Sequence, residues 1–343
     1  MTIALTRPSV VPIRWGIVGT GDIAERVMAP AMRQASGARL VAVAGRAIVA
    51  TRAFAERHGA QRAYDRLEDL LTDPEVDAVY VASPVDRHCS DVLAAIAAGR
   101  DVLCEKPLAL TLDEAERMVA AAERAGVRLG TCFYQRYNAR HRWIRDALAD
   151  GRIGRPAAAR MSFSGRSPDR PGAWRQDPTR AGGGSFTDSA VHCLDLLRFL
   201  VGEIREVAAF TDTLGASYAV EDTASALLRL DGGVQAVVTA HWSTEDSSAA
   251  RTSVLEIGGT DGTIVSWPLH DKFSRGTLLI ATVTGEEEVH VPERSTHIEL
   301  LDDFAGARAG GRPFPIDGAD GLAAQRVLAA VYESARTGRV VRP

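Results

Sequence analysis

Lysine is almost missing from this 343-residue chain: of its 40 basic residues only Lys106 and Lys272 are lysines, and all the others are arginine. Cysteine is scarce as well. The four, Cys89, Cys104, Cys132 and Cys193, lie far apart with no CxxC spacing, which excludes a zinc framework or a disulfide scaffold and leaves them as small buried apolar side chains. No apolar run approaches the roughly 18 residues needed to cross a bilayer. The opening stretch MTIALTRPSVVPIRW lacks the charged-then-apolar order of a signal peptide, so a cytoplasmic protein without a membrane partner is expected. An excess of positive charge is absent too. A formal net charge of -4 with both signs interspersed leaves no basic stripe, and no nucleic-acid partner is expected.

What is present is an ordinary globular composition, 46% apolar and 24% charged, in a chain longer than the ~250–300 residues at which single cores stop growing. Two domains are therefore expected, at 1–132 and 133–343. From residue 13 to about 131, short apolar runs such as IRWGIV, RLVAVA, DAVYVAS and DVLCE alternate with amphipathic helical segments. That alternation predicts an α/β domain, a doubly wound parallel sheet with helices on both faces. After a helix near 137–150 the texture changes to strand-like runs (AAARMSFSG, EVAAFTDT, TASALLRL, VQAVVTAHW, SVLEIGG, GTIVSW, GTLLIATV, EEVHVP) separated by Gly, Asp and Ser turns. This predicts a large, mostly antiparallel sheet, with one helix near 185–200 and two closing helices near 296–309 and 319–335. The outer face of such a sheet needs cover, which makes self-association across it the expected arrangement, as a homodimer or homotetramer.

The segment GIVGTGDIA runs from a strand into a helix with Gly19, Gly21 and Ala24 spaced as G-x-G-x-x-A, the dinucleotide fingerprint. The first glycine permits a tight turn and the second lets backbone approach a pyrophosphate, with Asp22 and Ile23 following at the helix N-terminus. An acid at the end of the second strand would bond a ribose 2′-hydroxyl. None is there: the strand ends VAGRA, the next carboxylate is Glu56, and Arg46 stands where a guanidinium can pair with a 2′-phosphate or stack on adenine. NADP(H) is the expected cofactor, with NAD(H) as the alternative.

Lys106 follows the strand DVLCE at the sheet edge where ligands bind in such folds. A compact ammonium with three donors and a movable pKa suits polarising a hydroxyl or carbonyl better than a wide, permanently charged guanidinium, which explains one lysine among so many arginines. In AGGGSFTDSAVHCLDLLRFL, three glycines read as a flexible approach to a helix on which Asp188 and His192 share a face. The histidine suits proton exchange with a hydroxyl, and the aspartate suits orienting sugar hydroxyls or tuning the imidazole. Asp195 is one turn on, but two ligands are too few for a metal, and no metal site is expected.

These residues resemble the glucose-fructose oxidoreductase, inositol dehydrogenase and rhizopine-catabolism (Gfo/Idh/MocA) family over nearly the whole chain. The resemblance rests on GIVGTGDIA, DPEVDAVYVASPVDRHCSDVLAAIAAGRDVLCEKPLAL, GRIGRP, WRQDPTRAGGG and DSAVHCLDLLRFL. It implies a sugar, sugar derivative or cyclitol held between a nicotinamide and the open sheet, with Lys106, Asp188 and His192 as the catalytic set. By the same resemblance Ser83, Pro84 and His88 line the cofactor beside Gly19 and Gly21, Glu105 accompanies the lysine, and Tyr134, Trp174 and Arg175 are pocket walls. The family's D-x-G-x-H is DSAVH here, with Ala190 expected to narrow the pocket, and its R-x-x-P is RYNA, a departure that argues against a substrate contact at Arg136. Two other readings follow from the same residues: a glycosidase that oxidises its sugar transiently, and a non-catalytic dinucleotide-binding sensor.

Overall fold

The computed structural model describes residues 11–243 and 253–343. Residues 1–10, on which most of the signal-peptide reading falls, lie outside them. Strands β1 (Ile13–Val18), β2 (Ala38–Ala44), β3 (Arg62–Tyr64), β4 (Ala78–Val81), β5 (Asp101–Cys104) and β6 (Leu129–Thr131) form a six-stranded sheet in the order β3-β2-β1-β4-β5-β6. Every neighbouring pair in it is parallel. β4 and β5 are buried at every residue, as near-continuously apolar strands must be when helices cover both faces. Chain order reverses between the adjacent strands β1 and β4, so the loops that leave their carboxyl ends diverge and open a crevice.

Local signals set the helix ends. The helix Leu112–Ala125 begins with a capping box between Thr111 and Glu114 and stops at Gly126, whose φ of 65° is left-handed. The helix Val85–Ala97 begins six residues before the DVLAAIAAG stretch that announces it, so the PVDRH segment after β4 is its first turn rather than a loop. Pro84 just before it is compatible with a helix start.

The second sheet has eight strands, β7 (Pro156–Ser164), β8 (Ile204–Asp212), β9 (Thr223–Leu230), β10 (Gln235–His241), β11 (Leu255–Gly259), β12 (Gly262–Trp267), β13 (Thr277–Thr282) and β14 (Gly285–Glu288), ordered β14-β13-β12-β11-β7-β10-β9-β8. Its pairs are antiparallel except β7 with β10. β12 is antiparallel to β11 and β11 to β7, so β7, β10 and β12 all end on one edge of the sheet. β14 starts two residues before the EEVHVP run, because Gly285, at φ 131°, reverses the chain there. One face of the sheet carries exposed Phe210, Leu227 and Val237, the last two paired across β9 and β10.

The closing helices Thr296–Ala309 and Gly318–Thr337 return to the first sheet. Phe304 meets Trp15 of β1 at 5.2 Å between ring centroids, and Asp302 accepts a hydrogen bond from the Gly37 amide at 2.7 Å. One apolar cluster therefore runs from β1 through these helices into the second sheet.

Candidate active site

A cleft of about 780 Å³ opens at the carboxyl ends of β1, β2 and β4. Gly19, Gly21, Asp22, Ile23, Arg46, Ser83, Pro84, His88, Glu105, Lys106, Trp174, Arg175 and Asp188 all line it. The two fingerprint glycines answer to different constraints. At Gly19, with φ 96°, a Cβ would lie 2.8 Å from the Ala82 carbonyl oxygen, so the end of β4 leaves no room for a side chain. At Gly21 a Cβ would meet nothing within 4 Å, since it would project into the cleft. A bare backbone beside open space, at the start of the helical run 22–32, fits a pyrophosphate. Arg46 is exposed on the cleft and makes no ion pair among the described residues. Asp65, at the end of β3, lines the same region and carried no sequence signal.

At the inner end of the cleft the chain brings together residues 82 positions apart. The Lys106 ammonium donates to the Asp188 carbonyl at 2.5 Å and to its Oδ1 at 3.1 Å. Asp188 lies in a π-helical turn, Phe186–Ala190, and this wide turn directs both of its acceptors at the lysine. Burial opposes ionisation of the Asp188 carboxyl, but Lys106 and then Arg175 outweigh it and hold the group below the usual range. Arg175 Nε is 3.6 Å from Oδ1 and its guanidinium stacks over Trp174 at 4.3 Å, so the two expected pocket walls form one rim.

Asp188 is thus committed to the lysine, and the expected role of tuning the His192 imidazole is not what the geometry provides. His192 is buried, with Nδ1 lacking a hydrogen-bond partner among the described residues. Burial first, then the Lys106 charge, push its pKa well below the ordinary value, so it is a neutral proton acceptor. Its ring faces Tyr134 at 5.0 Å and His270 at 5.2 Å, and Tyr134 in turn stacks on His297 at 4.4 Å. Tyr134 and His192 therefore form a wall buried beside Lys106 rather than part of the open cleft. Burial pushes His270 and His297 down to about 3, and both are neutral.

Glu105 accepts from the Tyr80 hydroxyl at 2.5 Å and from the Lys106 amide at 3.3 Å, anchoring the backbone of the lysine. His88 ties two loops: its ring nitrogens lie 3.0 Å from the Pro107 carbonyl and 3.0 Å from the Ser83 carbonyl. Hence the turn after Lys106 and the loop after β4 are clipped together through a buried side chain.

Two readings from the sequence need correction, and the doubt over Arg136 is explained. The glycine run is not a flexible approach: a Cβ on Gly184 would sit 1.9 Å from the Glu221 carbonyl oxygen, and one on Gly183 would sit 2.0 Å from the Tyr332 hydroxyl. Here close packing demands glycine. Glu221, buried, accepts from the Gly184 amide at 2.6 Å and the Phe186 amide at 2.9 Å, fixing the start of the helix that carries Asp188 and His192. Ala190 is fully buried in the apolar cluster, so its methyl packs the core and does not narrow the cleft. Arg136 is occupied by Asp195 and Asp320, at 2.5 and 2.8 Å, which also accounts for Asp195 without a metal. All four cysteines are free and buried.

Sequence reasoning also missed His270, His297, Lys272 and Glu221. Of these only Lys272 carried a signal, its rarity.

The match with known proteins agrees with this geometry. A model described as an oxidoreductase family with an NAD-binding Rossmann fold covers residues 13–133, and one for the GFO/IDH/MocA C-terminal domain covers 141–265. A 1,5-anhydro-D-fructose reductase of Ensifer adhaerens is 35% identical over 328 residues, 95% of this chain and 97% of that protein. A D-xylose 1-dehydrogenase (NADP(+)) of Haloferax volcanii is 32% identical over 330 residues, 95% of this chain and 98% of that one. In structure, an aldose-aldose oxidoreductase from Caulobacter crescentus superposes with a TM-score of 0.89 at 26% identity, covering 97% of this chain and 100% of that chain. With both of its halves matched, and a relative above 30% identity along nearly its whole length, the chain belongs to the Gfo/Idh/MocA family of oxidoreductases.

Proposed function

We propose that the protein is an oxidoreductase that moves a hydride between NADP(H) and a hydroxyl-bearing or keto carbon of a sugar, sugar derivative or cyclitol. The observation that carries this reading is the Lys106–Asp188 contact at the inner end of a cleft whose outer part is the glycine loop. When bound there, the dinucleotide supplies the hydride donor or acceptor. Gly19 and Gly21 give its pyrophosphate room, and Arg46 faces a 2′-phosphate. The absence of a carboxylate at the end of β2, and a relative named for NADP(+), support that preference.

Lys106 holds the reacting oxygen and stabilises the charge it develops, while Asp188 keeps the ammonium aimed. Neutral His192 takes the hydroxyl proton in the oxidative direction and returns it in the reductive one. Tyr134, Trp174 and Arg175 wall the sugar. The apolar residues Phe210, Leu227 and Val237 support self-association through the second sheet. Relatives named for anhydrofructose, xylose and inositol support a polyol-like substrate.

The test is Lys106→Met, assayed by reduced-nicotinamide absorbance across keto sugars, aldoses and cyclitols. Turnover is expected to fall by roughly 100-fold or more while NADPH affinity stays within a few-fold. Full activity in that variant refutes the role given to the lysine.

A further inference from the structure

The two lysines of the chain lie near enough for their charges to act on each other, and Lys272 acts on His192 and His297 as well. Lys272 lies in the loop 268–276 between β12 and β13, on the sheet edge where β7 and β10 also end. That edge meets the candidate site: Trp242, just past β10, donates from its indole to the Ser189 hydroxyl at 3.2 Å, next to Asp188. From the loop itself, His270 reaches the His192 ring. The Lys272 carbonyl accepts from the Thr296 amide at 2.9 Å, beside His297. Lys272 is therefore bracketed by two of the imidazoles that surround Tyr134 and His192.

The loop is held in a costly shape. Ser274 has φ 62°, a left-handed conformation for a residue with a side chain, yet it is buried, and its hydroxyl accepts from the Ala139 amide at 2.9 Å. Arg140, fully buried and without an ion pair among the described residues, donates to Ser266 Oγ at 2.7 Å and to the Pro268 carbonyl at 2.6 Å. The Asn138 side-chain Nδ2 donates to the Asp271 carbonyl at 3.1 Å. Placing an unpaired guanidinium in the interior to pin a strained loop is expensive, and the fixed position of Lys272 is what the loop presents.

The Lys272 ammonium is half-buried and makes no hydrogen bond or ion pair among the described residues. The acids nearest it are engaged elsewhere: Glu105 by Tyr80 and Lys106, and Asp271 by Arg275 and the amides of Phe273 and Arg275. Burial, and the like charge of Lys106, disfavour the charged ammonium, although Glu105 acts the other way. Beside it, buried His297 has an Nε2 with no hydrogen-bond partner among the described residues, a second group that can face a ligand. An anion arriving here removes the repulsion between two ammonium groups and satisfies both orphans.

We propose that Lys272 is the specificity contact of this site and that the preferred substrate is a sugar acid, its carboxylate bound by Lys272 while its reacting oxygen is held by Lys106. One ammonium among neutral imidazoles matches a monoanion; a phosphate dianion calls for an arginine fork, and the arginines of this loop, Arg140 and Arg275, are committed to Ser266, Pro268 and Asp271. The inference rests on reading the cleft as a sugar oxidoreductase site.

Calorimetric titration of the NADP-loaded protein with D-glucuronate, D-glucose and D-glucose 6-phosphate tests it, in the wild type, Lys272→Met and Lys272→Arg. Glucuronate is expected to bind about 10-fold or more tightly than glucose, a ratio that falls to about one in Lys272→Met and persists in Lys272→Arg. A wild-type ratio near one, an unchanged ratio in Lys272→Met, no detectable glucuronate binding, or tighter binding of the phosphate each overturns the proposal. Nicotinamide absorbance in the same samples separates the two claims. Turnover of sugars with a ratio near one sinks this inference alone, whereas an intact ratio without any turnover sinks the reaction.

Discussion

Mild acid is expected to destabilise this protein, and the reason lies in the buried imidazoles around the site. His141 and His297 are buried, and burial pushes both down to about 3, helped by Arg140 in the first case and Lys272 in the second. In the unfolded chain each titrates near ~6.5. Between those values the unfolded state binds a proton that the folded state refuses, so stability falls as pH drops below about 6.5 and goes on falling towards about 3. At pH 5 the loss is about 2 kcal/mol for each histidine, hence about 4 kcal/mol for the pair. His270, also pushed down to about 3 by burial, adds a similar loss, and His192 adds to it, its pKa also being depressed by burial and by Lys106. Glu221 and Asp195 act in the opposite sense, because burial pushes their carboxyls up and they gain protons on folding as the pH falls. The net loss between pH 7 and pH 5 is therefore about 2–4 kcal/mol, a large share of the ~5–15 kcal/mol by which proteins are stable. Urea unfolding followed by circular dichroism at both pH values measures it. Equal stability at the two, or imidazole NMR resonances that titrate near 6.5 in the folded protein, would refute the claim that these rings are sealed and neutral.

Two substitutions separate packing from chemistry. Gly184→Ala places a methyl against the Glu221 carbonyl, where the built Cβ is only 1.9 Å away, and is expected to cost about 3 kcal/mol or more, seen as a fall in melting temperature. A melting temperature within a degree of the wild type would show that the loop relaxes freely. Arg46→Ala removes the exposed guanidinium from the cleft and is expected to raise KM for NADP(H) about 10-fold while leaving KM for NAD(H) nearly unchanged. Equal effects on both would assign Arg46 to adenine stacking instead.

The parts of the fold that were legible are those governed by neighbours in sequence. TASALLRL alternates with a period of two and becomes β9 residue for residue, and the fingerprint glycines sit where strand meets helix. The candidate site was half legible. Lys106, Asp188 and His192 stood out, but their contacts did not: Asp188 had been free to serve His192, and a π-helical turn gives it to Lys106 instead. The glycines of AGGG misled because glycine reports either freedom or crowding, and only the carbonyl of Glu221 and the hydroxyl of Tyr332 reveal which. Lys272 was visible as a rarity without a place.

By itself, then, the order of residues determined the two-sheet architecture, the dinucleotide loop and the family, since hydrophobic period, turn chemistry and motif spacing act over a few residues. Tertiary structure alone decided which acid pairs with Lys106, that Arg140 pins the loop of Lys272, and that a set of histidines is sealed and uncharged. Those outcomes depend on burial and on charges brought together from distant positions, and neither quantity exists until the chain has closed on itself.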